Sequence, residues 1–290
     1  MKSFVIKIVL GITILMVGSL TGWAQNNIMF EPFTSFSWSA SNSYTSKSDF
    51  IQNGQSWNSE KGIGFGSGNE FGILAKRSFD SSMLTVNAGV SALIGKKQQT
   101  YLMENYDSGQ KVVKMMDAYQ LNALLGIGLQ NKFNNKILIG SDVLLVIPLI
   151  TRFKEVIINK QGNINSQTSL QYKSRITVGL NLRCGIGYQL SEHLLIKGDV
   201  VYTFMSISNK SSIIRNYTSS DGTSLAQRYP TTSDLETIFY KDMKDVKNDP
   251  ILNPSGFDKN KPSESISTQL PFSRMGLSIS LVWILNLKKG

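Results

Sequence analysis

The chain has 290 residues, of which 41% are hydrophobic and only 17% charged, with 30 Lys and Arg against 20 Asp and Glu for a formal charge of +10. That length admits two soluble domains or one large β-barrel, and it excludes a disulfide-stapled miniprotein. A single cysteine, Cys184, allows no intrachain disulfide, and a single histidine, His193, excludes chemistry that needs several histidines.

In chain order, residues 1–24 read as a secretory signal peptide. Lys2 and Lys7 accompany an apolar stretch over residues 8–17, and the small residues Gly22 and Ala24 suit a signal peptidase. The apolar core is too short to span a bilayer comfortably, which counts against an uncleaved anchor. Cleavage after Ala24 leaves one domain, residues 25–290, and the loss of Lys2 and Lys7 lowers the charge from +10 to +8. No later stretch holds 18 uninterrupted apolar residues, which argues against a helical membrane protein.

Period-two alternation then recurs, and a helical stripe rarely does. A first strand is expected over 30–39, where Phe36 and Trp38 share a face. Phe71, Ile73 and Ala75 follow, against Glu70, Gly72 and Lys76. In the third segment Leu84, Val86, Ala88, Val90, Ala92 and Ile94 oppose Thr85, Asn87, Gly89 and Ser91. In the fourth, Tyr119, Leu121, Ala123, Leu125, Ile127 and Leu129 oppose Gln120, Asn122, Gly126, Gly128 and Gln130.

The fifth segment, ILIGSDVLLVIPL, is the least regular: Asp142 sits opposite Ile139, Val143, Leu145 and Ile147 within a run that also fits a buried strand or a short helix. The sixth sets Ile176, Val178, Leu180, Leu182, Cys184, Ile186 and Tyr188 against Arg175, Thr177, Asn181 and Arg183. The seventh sets Leu194, Ile196, Val200, Tyr202 and Phe204 against Lys197, Asp199 and Thr203. The eighth sets Met275, Leu277, Ile279, Leu281, Trp283 and Leu285 against Arg274, Gly276, Ser278 and Ser280.

Short turns near 78–81, 131–135 and 189–192 alternate with long connections near 40–62, 96–118, 149–172 and 208–272. Alternation alone does not say which face points outward, and a soluble barrel or sandwich shares it. Strand length and the asymmetry of the connections favour an all-β, eight-stranded antiparallel transmembrane β-barrel with short periplasmic turns and long exterior loops. An even strand number puts both mature termini in the periplasm, beneath an outer membrane. Tyr119, Tyr202 and Phe204 then lie at outer strand ends, and Phe133 and Tyr188 near inner turns, where aromatic rings tolerate a half-wet boundary.

The signal segment, the FGILAKRSF, LTVNAGVSALIG and LNALLGIGLQNKF stretches and the RITVGLNLRCGIGYQLSEHLLIKGDVVYTF hairpin together resemble the small outer-membrane β-barrel proteins of Bacteroidota, of the porT-like class, over roughly residues 25 to 287. The last strand departs from the common outer-membrane pattern by ending in LNLKKG instead of an aromatic residue. The resemblance implies an architecture, and it permits a role like that of the secretion-associated barrels.

With apolar faces outward, Glu70, Lys76, Asp142, Arg175, Arg183, Lys197, Asp199 and Arg274 are expected to form a paired polar network inside. Eight strands enclose little more than their own side chains. The 65-residue connection 208–272 is polar yet carries aromatics, and Tyr229, Phe239 and Tyr240 are its candidate exterior contacts. Its TTSDLETIFYKDMKDV stretch fits a short helix starting near Thr232 or Ser233.

His193, beside Glu192 at an inner turn, reads as a solvated residue and not as a catalytic base. The acids Asp234, Glu236, Asp242, Asp245 and Asp249 read as a solvated surface, not a metal site. GIGFGSGNEFG lacks the strand–turn–helix context of a nucleotide loop. The reading is therefore of a noncatalytic protein without a cofactor, in contact with outer-membrane lipid and with an envelope protein or glycan, but not with nucleic acid. It acts in envelope assembly or loop-mediated binding; the alternative is a narrow channel or transport protein for small solutes.

Overall fold

Alternating strands give a sheet two unlike faces, and a sheet closed on itself sends one face inward along its whole circumference. The computed structural model describes residues 27–39, 46–52, 55–61, 66–78, 83–105, 108–133, 136–175, 177–267 and 269–286. The signal segment expected at 1–24 lies outside them. Strands β1 (Asn27–Ser39), β2 (Ser46–Gln52), β3 (Gln55–Lys61) and β4 (Gly68–Ser78) precede β5 (Leu84–Gly95), β6 (Gln98–Asn105), β7 (Lys111–Phe133) and β8 (Ile137–Gln161). Next come β9 (Ile164–Ser174), β10 (Gly179–Ser191), β11 (Leu194–Phe204) and β12 (Ser206–Ser219). Two helical turns, α1 (Leu225–Arg228) and α2 (Thr232–Leu235), lead to β13 (Glu236–Tyr240), β14 (Ser263–Ile266), β15 (Gln269–Pro271) and β16 (Arg274–Asn286).

Strands β1, β4, β5, β7, β8, β10, β11 and β16 pair antiparallel in that order. β16 pairs back to β1, with Phe30 opposite Trp283 and Phe36 opposite Leu277, so the sheet is a closed eight-stranded barrel without an edge. The outward side chains are apolar and exposed, among them Phe36, Phe71, Ile127, Val143, Ile186 and Ile279. Among the described residues no helix is long and apolar enough to cross a membrane.

The strand ends that the short connections join, Ser78 with Thr85, Phe133 with Ile137 and Ser191 with Leu194, lie together at one end. The turn after β10 holds exposed His193, whose carbonyl accepts from the Ile284 amide at 2.9 Å. At the other end β7 and β8 do not stop at the rim. β5 pairs with β7 only up to Tyr119, and β10 with β8 only up to Val146, but the two long strands stay paired through Lys111 and Lys160. They lead out a second sheet with the order β14, β13, β12, β9, β8, β7, β6, β3, β2.

This corrects the expectation of loops at 96–118 and 149–172. The paired β7 and β8 offer two unfilled ladders above the rim, and β6 and β9 take them up. The 208–272 connection is likewise structured. β12 adds to β9, and β13 adds to β12 and then pairs in parallel with β14. The helix expected from TTSDLETIFYKDMKDV does start at Thr232 but is only one turn, Thr232–Leu235, with Thr231 as its N-cap and the Asp234 carboxylate accepting from the Thr231 amide. The β-branched and aromatic run Thr237, Ile238, Phe239 and Tyr240 then passes into a strand, where such residues pack best.

Candidate functional site

The inward face of β1 brings Glu31 to the barrel axis, within reach of Lys76 two residues along β4 from its register partner Leu74. The Lys76 ammonium lies 2.7 Å from a Glu31 oxygen and 2.6 Å from an Asp142 oxygen of β8. From β11, Lys197 reaches Asp199 at 2.7 Å, Asp142 at 3.6 Å and Glu31 at 3.7 Å. From β10, Arg183 reaches Asp199 at 3.2 Å and Glu31 at 3.6 Å, donates to Ser278 Oγ at 3.0 Å, and lies 4.3 Å from the centre of the Phe33 ring. Asn87 of β5 donates to the second Asp142 oxygen at 2.8 Å.

Three carboxylates thus meet three cations in a space closed to solvent, and no member lacks an opposite charge. Buried ions are tolerated only on that condition. Nearer the long-connection end, Arg274 of β16 donates to Glu70 at 2.8 Å, Ser91 donates to the other Glu70 oxygen at 2.6 Å, and Asn122 of β7 donates to Ser91 at 3.3 Å. All eight barrel strands therefore send polar side chains to the axis.

Glu70, Lys76, Asp142, Arg183, Lys197, Asp199 and Arg274 are where alternation puts them. Arg175 is not inside. β10 begins only at Gly179, and the chain at Arg175 is still crossing from β9, so its guanidinium donates to the Phe239 carbonyl at 2.5 Å in the second sheet. Sequence reasoning missed Glu31, the carboxylate shared by Lys76, Arg183 and Lys197. Counting back by twos from outward Trp38 and Phe36 would have put Glu31 on the inner face.

Small residues make room for these ions. A Cβ at Gly128 would sit 2.2 Å from Asp142 Oδ1, 2.7 Å from Thr85 Oγ1 and 2.9 Å from Asn87 Nδ2. Gly128→Val is expected to destabilise the barrel by about 1–3 kcal/mol through overpacking. The check is the temperature at which the folded band disappears on a semi-native gel. Gly198→Ala serves as control, since a Cβ there meets nothing within 4 Å.

Apolar side chains lie on either side of the ions. Met29, Leu138, Leu195 and Val282 gather at the tight-turn end. Toward the other end Leu74, Leu93, Leu124, Leu144 and Val146 join Phe153, Met205, Ile207 and Phe272 above them. The rings of Phe153 and Phe272 meet edge to face at 5.8 Å, and both are fully buried. This cluster ties the barrel to the second sheet, which also carries an internal pair: Tyr172 donates to Glu155. Burial first, and the Glu155 carboxylate next to it, push the Tyr172 phenol above its ordinary value.

The candidate exterior contacts Tyr229, Phe239 and Tyr240 are half-buried and engaged within the chain. Tyr229 shares a hydrogen bond with Thr168 at 3.2 Å, and its ring meets that of Tyr217 edge to face. Phe239 stacks on Tyr172 with centroids 6.4 Å apart, and Tyr240 donates to Glu264 at 3.3 Å. Glu264 also accepts from the amides of Lys247 and Asn248, closing the 241–262 crossover between β13 and β14. Burial raises its carboxyl, but these donors outweigh that and hold it below its usual value.

Among the described residues no three of His, Cys, Asp and Glu are grouped to hold a metal ion. Compared with known proteins, the chain matches no protein-family model and no curated protein sequence. What it is built for has to be argued from the barrel and its second sheet.

Proposed function

We propose that the chain is a noncatalytic outer-membrane barrel that works through its exterior sheet, in envelope assembly or in binding. In this reading the apolar outer face meets lipid. The tight turns and both mature termini lie in the periplasm, and the sheet led out by β7 and β8 stands outside the cell. The likeness to porT-like barrels of Bacteroidota belongs to the same proposal. Its main support is the filled lumen: charged side chains pair across the axis and apolar clusters lie above and below them. Conduction needs a wet path, so this packing counts against a solute channel, whereas the ordered second sheet offers a large surface at the outer end.

Two measurements test this. The protein should fractionate with outer membranes and migrate differently on gels with and without heating; a soluble periplasmic monomer would overturn the barrel's membrane role. Reconstituted in a planar bilayer, it should give no stepwise current, while pull-down from native membranes should return a stoichiometric envelope partner. Stepwise openings with no partner would instead support a channel.

A further inference from the structure

Immediately above the rim, the outer face of the barrel passes into the outer face of the second sheet, and its chemistry changes abruptly. Tyr119 of β7 stands opposite Arg152 of β8, which stands opposite Lys173 of β9. One row further out, Asp117 stands opposite Lys154, and Lys154 opposite Gln171, which accepts from Arg215 Nε of β12 at 3.3 Å. Arg152, Lys154, Lys173 and Arg215 are all exposed. The row just below them, toward the barrel, is Leu121 opposite Ile150, where the apolar surface begins.

Opposed like charges in neighbouring strands repel, so the Arg152–Lys173 pair weakens the ladder that carries it. Among the described residues other charges have opposite partners, buried ones at Lys76 and Arg274 and part-exposed ones at Lys261 with Asp258 and at Lys111 with Glu104, which offsets the facing of Lys111 and Lys160. Here four cations face a single acid. Three of them, Arg152, Lys154 and Arg215, line a cavity of about 370 Å³ together with Asp117, Tyr119 and Gln171, and Lys173 stands next to it as the cross-strand partner of Arg152. That volume falls in the range of small-molecule sites. Its floor is one cross-strand row from an apolar wall, a spacing of roughly 7 Å along the strands.

We propose that this cavity binds the phosphate headgroup of a lipid from the outer leaflet, with the acyl chains lying down the apolar wall formed by β7, β8 and β10. This rests on the reading of the barrel as inserted in the outer membrane. Arg152, Lys154 and Arg215 hold the phosphate inside the cavity, the anion offsets the repulsion between Arg152 and neighbouring Lys173, and the Tyr119 phenol sits at the boundary between headgroup and chain. A soluble anion would use the same cations but would gain nothing from the apolar wall.

The test uses the full chain in nanodiscs of phosphatidylcholine containing a minor share of phosphatidic acid. Native mass spectrometry should find one phosphatidic acid retained per barrel. Each cation near a bilayer surface is worth about fivefold in affinity, so the triple variant Arg152→Gln, Lys154→Gln, Lys173→Gln should bind about a hundredfold more weakly. Its unchanged heat-modifiable migration would show that the fold survives. Retention by the variant equal to that of the parent protein would overturn the proposal. Inorganic phosphate bound as tightly in pure phosphatidylcholine discs, through the same three residues, would overturn the lipid assignment. Normal insertion without preference for phosphatidic acid would sink this site alone. Failure to insert in any disc would sink the membrane reading with it.

Discussion

Lys76→Met is expected to destabilise the barrel by about 3–5 kcal/mol, the range for removing one partner of a buried ion pair. The loss comes from what remains. Glu31 and Asp142 lose the ammonium that lies 2.7 and 2.6 Å from them; Glu31 keeps only more distant cations, Arg183 at 3.6 Å and Lys197 at 3.7 Å, and Asp142 keeps only Lys197 at 3.6 Å beside the uncharged Asn87 amide. The measurement is urea unfolding of detergent-refolded protein, followed by tryptophan fluorescence and by loss of heat-modifiable migration. Pairing the change with Glu31→Gln should recover part of the stability, because one of the two orphaned charges is then gone. A double variant as weak as the sum of the singles would mean that Glu31 and Lys76 are not coupled.

The second large effect should appear at the junction of barrel and exterior sheet. Phe153 is fully buried beneath Phe272 and beside Met205 and Ile207. Phe153→Ala is expected to cost about 3–5 kcal/mol, the usual toll of an aromatic truncation in a packed core. The loss should fall on the exterior sheet, since Phe153 packs with Phe272, Met205 and Ile207 where that sheet joins the barrel. Limited proteolysis should therefore cut sooner within residues 206–267, while the barrel keeps its heat-modifiable migration. Simultaneous loss of both would show that the two sheets unfold as one unit.

The barrel wall was legible where its two faces differ in chemistry. Along β5 the outward residues Leu84, Val86, Val90 and Ile94 alternate with inward Thr85, Asn87 and Ser91, so strand and direction follow together. The wall was obscure in β8, where Leu144 and Val146 face an apolar part of the interior while Val143 and Leu145 face outward, and period two vanishes. Alternation also misleads when it runs past the end of a ladder, as it does at Arg175. The exterior strands were hidden for another reason. KVVKMMDA in β7 and RFKEVIINK in β8 mix charge and apolar bulk on both faces, and the short β13 exists only because β9 and β12 first provide an edge to pair with. The polar composition near 208–272 fits a loop, and what turns it into strands lies in its distant partners and not in the segment itself.

The two longest strands have a mechanical consequence. β7 and β8 run 23 and 25 residues without interruption from the tight turn to the tip of the second sheet. At about 3.4 Å per residue, β7 is a strut roughly 75 Å long. Its pairing with β8 continues across the rim, with a single register shift beside Leu121 where the strands can bend, so one unbroken pair of strands ties the exterior sheet to the wall. A pull on the tip would load this ladder in shear, distributing force over many bonds, and would be felt by the barrel wall. Anything that grips the exterior sheet is therefore anchored to the wall as though to the end of a single beam.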